Sequence, residues 1–149
     1  MQAAEGKIGR VFVVRLEDGD ELPSCLEKFA EKKGIKNGFV LLVGDICKGQ
    51  IVMGPRDSEK MPAEPIYVPL NEAHETVGVG ILAPGQDGKI VLHIHASMGH
   101  DGHAVTGCLR PGVKTWLVAE AIIYEITNVD ARRFMDKRSG FALLKVSPG

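Results

Sequence analysis

The chain has 149 residues, of which 44% are hydrophobic and 25% charged, the size and balance of one globular domain with a single core. Its 18 basic and 19 acidic residues leave a formal net charge of -1 with no basic tail, which excludes a field able to gather nucleic acid unaided. Cysteines at 25, 47 and 108 are odd in number and widely spaced, which argues against a disulfide framework.

A cytoplasmic location is expected. A reducing compartment suits free cysteines, the opening "MQAAEGKIGR" holds no apolar run of the signal-peptide kind, and no window reaches the length of a membrane span.

In chain order, "KIGRVFVVRLEDGDE" reads as a strand, because Val11, Phe12, Val13, Val14 and Leu16 are mostly β-branched or aromatic and end at an acidic glycine turn. Leu22, Cys25, Leu26, Phe29 and Ala30 then recur at the spacing of one helical face. Asp20 is the expected N-cap, Pro23 falls in the first turn and Gly34 is the stop. Cys25 lies on the apolar stripe and reads as a small core residue.

"GFVLLVGDICKGQIVMGP" reads as two strands broken by Gly44 and the "KGQ" turn, and "RDSEKMPAEP" as a surface loop. "IYVPL", "HETVGVGILA", "KIVLHIHASM" and "KTWLVAEAIIYEI" supply four further strands, the last expected to be buried on both faces. Residues after Asn128 form a weakly patterned tail with short apolar pieces at Phe134 and "FALL". One main helix packed on a largely antiparallel sheet, an α+β single domain, is the expected fold.

The histidines carry the chemistry. Four of the chain's five stand in "LHIHASMGHDGHAVTGCL", residues 92 to 109. Alternation within "KIVLHIHASM" sends Ile90, Leu92, Ile94, Ala96 and Met98 to one face and Val91, His93, His95 and Ser97 to the other. Cβ atoms two residues apart on a strand are roughly 6.5 to 7 Å apart, so the His93 and His95 imidazoles can lean onto one ion. Solvation, or bonds to a neighbouring strand, would account for the same pair without metal. His100 and His103 sit around the "DG" turn and are secondary ligand candidates. Glu120 interrupts an apolar run, and a buried carboxylate needs a partner. It could accept a hydrogen bond from a ligand histidine, join as a further ligand, or pair with a lysine or arginine of a neighbouring strand or subunit.

From Gly9 to about Ile126 the sequence resembles the plants and prokaryotes conserved domain, which accompanies AT-hooks in plants and stands alone in bacteria and archaea. The residues that carry the resemblance are "GRVFVVRLEDGDEL", "FVLLVGDICKGQIVMG", "HETVGVGI", the H-x-H strand, the "DG" turn, "TGCLRPG" and "LVAEAIIYEI". Residues 127–149 then form a C-terminal extension. The resemblance implies a homotrimer, and a metal site whose first two ligands fall on His93 and His95. The third, a histidine in the prokaryotic pattern Gly-Gly-His-Leu, falls on Cys108 of "TGCL". Thiolate is an ordinary zinc ligand, so the change can keep a tetrahedral site and favours zinc; a small buried cysteine filling a lost site is the alternative.

The resemblance also lends the label of a DNA-binding protein. The AT-hook core Arg-Gly-Arg-Pro is absent from the sequence, so direct DNA binding is doubtful and a regulatory or DNA-associated role would run through protein partners. A basic ring of Arg132, Arg133, Lys137 and Arg138 repeated around a trimer is the one arrangement that would reverse this. A small zinc-dependent enzyme, with Glu120 as general base, is the alternative function.

Overall fold

The computed structural model describes residues 1–147. The strands are β1 (Lys7–Glu17), β2 (Glu21–Leu22), β3 (Asn37–Cys47), β4 (Gln50–Pro55), β5 (Pro65–Pro69), β6 (His74–Pro84), β7 (Ile90–His100), β8 (His103–Leu109), β9 (Val113–Thr127), β10 (Ala131–Met135) and β11 (Ala142–Val146), and the helix is α1 (Ser24–Lys33). The main sheet runs β1-β9-β3-β6-β7-β8-β4-β5, with β2 also on β9, and β10 pairs with β11. Every pairing is antiparallel. The expected α+β single domain, one helix on a largely antiparallel sheet, is the fold observed.

The core lies between α1 and one face of the sheet. Leu26 and Ala30 of the helix join Val40, Leu42, Leu92, Ile94, Ala96, Ala121 and Ile123 there, the positions that alternation assigns to one side of β3, β7 and β9. Gly34 closes α1 in the left-handed conformation, φ 68°, which glycine adopts without Cβ strain. The expected N-cap is displaced. Glu21 and Leu22 pair with Lys114 and Val113, so the helix starts at Ser24, with Pro23 at its N-cap position, and Asp20 accepts instead from the Glu17 N–H at 2.9 Å. Cys25 packs against the core, and burial pushes its thiol up to about 11, which keeps it protonated and unreactive.

β9 departs from the expectation of burial on both faces. Ala119, Ala121 and Ile123 point inward, while Trp116, Leu117 and Val118 are exposed. They fall where the β3–β9 register slips between Gly44 and Ile46. Gly44, at φ 120°, lets the strands close up there, since a Cβ would meet the Ala119 Cα at 2.6 Å. "HAVTGCL" forms β8, and the tail after Asn128 forms the β10–β11 hairpin.

At the other end of β1, Arg10 grips Glu125 with Nε to Oε2 at 2.8 Å and a second guanidinium nitrogen to Oε1 at 2.8 Å. The Arg10 side chain and backbone N–H hold the Glu125 carboxyl down at about 2, from an ordinary 4.5. A lowered carboxyl stabilises the fold fully above its unfolded value, and that contribution disappears as pH falls through the folded one. Thermal midpoints measured between pH 5 and pH 2 are therefore expected to fall less steeply in Glu125→Gln than in the unmutated protein; equal slopes would assign the acid sensitivity to other groups.

Candidate metal centre

β7 alternates as its sequence requires: Leu92, Ile94, Ala96 and Met98 are buried, while His93 and His95 are exposed on the opposite face. β8 brings the third group. His95 stands opposite Cys108, and Cys108 is opposite Val52 of β4 on its other side. Gly107 permits that approach, because a Cβ there would lie 2.7 Å from the Val52 carbonyl oxygen.

The facing Nε2 atoms of His93 and His95 are 3.1 Å apart, with the rings edge to face. One N–H donates to the other ring's lone pair, so the two facing nitrogens share one proton. The ligand atoms of His93, His95 and Cys108 all lie within 4.8 Å of one another. Ligand atoms around one tetrahedral zinc sit roughly 3.3 to 3.6 Å apart for bonds of about 2.0 to 2.3 Å, so this donor set could hold a single transition-metal ion once its atoms close in from their present spacing, the ion taking the place of the shared proton.

The surroundings are electropositive. Desolvation, followed by the charges of Arg133, His95 and Arg110, lowers the pKa of His93 and keeps its imidazole neutral and free to coordinate. Burial raises the pKa of Cys108, opposed by Arg110 and Arg133. Its thiol therefore enters coordination by losing a proton.

β8 leaves β7 at Cys108, so the first half of β7 has one unpaired edge. The carboxylates of α1 cover part of it: Glu27 accepts from the Leu92 N–H at 2.9 Å and Glu31 from the Ile90 N–H at 3.2 Å. Beyond them opens a cavity of about 640 Å³ that reaches His93, His95 and Cys108 and is walled by Arg110 and, from the β10–β11 hairpin, by Arg133 and Phe141. Arg133 had no sequence signal for this placement, because the hairpin meets the site only through the fold, whereas Arg110 stands two residues beyond Cys108.

The other candidate residues lie elsewhere. His100 and His103 face each other across the β7–β8 turn, roughly 16 Å along β7 from His95 at about 3.3 Å per residue. His100 Nδ1 bonds to the Ala73 carbonyl at 2.8 Å. Glu120 is exposed rather than buried. It pairs in register with Arg15 and Val43, and β3 and β6 separate it from β7. Strand spacing of about 4.8 Å puts three steps at roughly 14 Å, so within one chain it neither ligates nor reaches the histidines. Its charge acts on Arg15, whose pKa is raised mainly by Glu17 and in part by Glu120.

Comparison with known proteins agrees with the architecture. Residues 3–127 match the family described as the Plants and Prokaryotes Conserved (PCC) domain. A metal-containing protein of Archaeoglobus fulgidus is similar in structure, at TM-score 0.84 and 24% identity, with 97% of this chain and 99% of that one covered. So is a protein of Bacteroides thetaiotaomicron provisionally called DNA-binding, at TM-score 0.76 and 16% identity, with 95% and 96% covered. Among curated proteins, the bifunctional protein GlmU of Synechococcus sp. (strain JA-3-3Ab) is 27% identical over 140 residues, which is 92% of this chain but 20% of that protein. The chain thus spans about a fifth of the length of the curated relatives it matches.

Proposed function

The chain belongs to the Plants and Prokaryotes Conserved domain family, and from that premise we propose that it is a homotrimeric protein holding one zinc ion per chain on His93, His95 and Cys108. The observation that carries the reading is the convergence of two imidazoles and one thiol from adjacent strands within 4.8 Å. Two nitrogens and one sulfur suit zinc better than magnesium or calcium, which take oxygen. The metal-containing Archaeoglobus fulgidus neighbour supports the same reading. Elemental analysis of the purified protein should find about one zinc per chain; a protein that neither carries nor accepts zinc would reduce the histidines to a surface pair and Cys108 to a core filler.

The trimer is supported by the sheet's outer face. Val13, Ile122, Leu41, Val79 and His95 follow one another across neighbouring strands, with Val43 and Val77 beside them. Val13 is 81% exposed, Val77 58% and Val79 49%. A contiguous apolar face of this kind marks a protein-protein surface.

The cavity beside the ligands favours a second reading, a small zinc-dependent enzyme. Three protein ligands leave a fourth position, and zinc bound there would acidify a water and polarise a carbonyl. Glu120 is too far away to be its base within one chain, and Glu27 is the carboxylate that lines the cavity.

A regulatory or DNA-associated role runs through protein partners. The suggested basic ring is incomplete: Arg133 is buried and Arg132 pairs with Asp130 at 3.0 Å. Labelled duplex DNA titrated at about 150 mM salt is expected to give no specific complex. Submicromolar binding weakened by Lys137→Ala with Arg138→Ala would replace this reading with direct recognition.

A further inference from the structure

The β10–β11 hairpin lies outside the residues matched by the family, yet it supplies part of the wall of the cavity beside the histidines. Arg133 on it is 6% exposed. Its two terminal nitrogens make only long bonds, 3.5 Å to the Ala142 carbonyl and 3.4 Å to the Ile81 carbonyl. Its buried Nε has no partner, and neither does the buried Nε of Arg110, which lines the same cavity. Neither arginine forms an ion pair among the described residues. The one carboxylate in the wall, Glu27, is committed to the Leu92 N–H.

A buried guanidinium left unpaired is costly, and its planar fork matches a carboxylate. Desolvation lowers the pKa of Arg133, the penalty that an anion would relieve. The remaining walls are largely apolar and include Val52, Ile81, Leu109, Phe141 and Leu143. A volume of about 640 Å³ lies in the range of small-molecule sites.

We propose that this cavity binds a small organic carboxylate, its anionic head held by Arg110 and Arg133 and its hydrocarbon body against the apolar walls of the hairpin and β6. The apolar walls favour a carboxylate with a hydrocarbon body over inorganic phosphate, which has none to bury. The site stands on the arginines and not on the metal.

Octanoate, octanol and inorganic phosphate are the probes, titrated calorimetrically into zinc-loaded protein and into protein stripped with a chelator, with the Arg133 Nε–H followed by nuclear magnetic resonance. Octanoate is expected to bind saturably in both forms, to shift the Arg133 signal, and to bind at least about tenfold more tightly than octanol, the size expected for charge-assisted hydrogen bonds. Arg110→Gln and Arg133→Gln are each expected to weaken octanoate about tenfold while leaving octanol binding unchanged. If Arg133→Gln does not fold, Arg110→Gln and the Arg133 signal decide alone. Octanoate binding no tighter than octanol, phosphate binding tighter than octanoate, or indifference to the arginine changes would overturn the proposal. Absence of zinc binding alongside arginine-dependent octanoate binding would overturn the metal reading and leave this one standing.

Discussion

His93→Ala is expected to lower bound zinc from about one per chain to below about a tenth at micromolar protein, with the fold intact. Losing a group that merely orients a ligand already costs about 10- to 100-fold in metal affinity, and His93 is itself one of three converging ligands. Its side chain is exposed and outside the core, so the circular dichroism spectrum should not change. Cys108→Ser should weaken zinc as well, because a hydroxyl is a poor substitute for thiolate. Calorimetric zinc titration of both variants checks the pair. Unchanged affinity in His93→Ala would move the site elsewhere.

Val77→Asp is expected to turn a trimer into monomers at micromolar concentration. Val77 is 58% exposed in the single chain, lies between Val43 and Ser97 on the outer face, and is one row away from His95. A carboxylate there does not touch the core, but in an interface it would be buried without a partner in every subunit, at a cost of several kcal/mol each. Light scattering combined with size-exclusion chromatography reads the result. A monomer already present in the unmutated protein would remove the trimer from the account, whereas a trimer unaffected by Val77→Asp would place the interface on another face.

The parts of this molecule legible in the sequence are those governed by local periodicity. The period of two in "KIVLHIHASM" put His93 and His95 on one face, and the stripe Leu26, Phe29, Ala30 marked α1. Cys108 entered through the family resemblance, and its place beside His95 depends on β7–β8 register, which no local pattern in "HAVTGCL" specifies. The N-cap was misplaced because a two-residue strand at Glu21–Leu22 delays the helix, and an element that short leaves no periodic trace. Glu120 read as buried because its neighbours are apolar, yet in the single chain the outer face of β9 is open. The β10–β11 hairpin is not legible in the sequence because its strands have five residues each, too few for a periodic pattern. Arg133, which the sequence offers to a basic ring with Arg132, Lys137 and Arg138, is instead buried by long-range folding in the wall of the cavity beside the histidines.

Cobalt titration of the stripped, unmutated protein tests the central claim most directly, because cobalt occupies tetrahedral zinc sites and reports a thiolate ligand through near-ultraviolet charge-transfer absorption. The three-ligand site predicts that this band grows to saturation at about one cobalt per chain, with release of the Cys108 proton, and is lost in Cys108→Ser. A protein that gives no such band, or one that gives it undiminished in Cys108→Ser, would contradict a metal centre built on His93, His95 and Cys108.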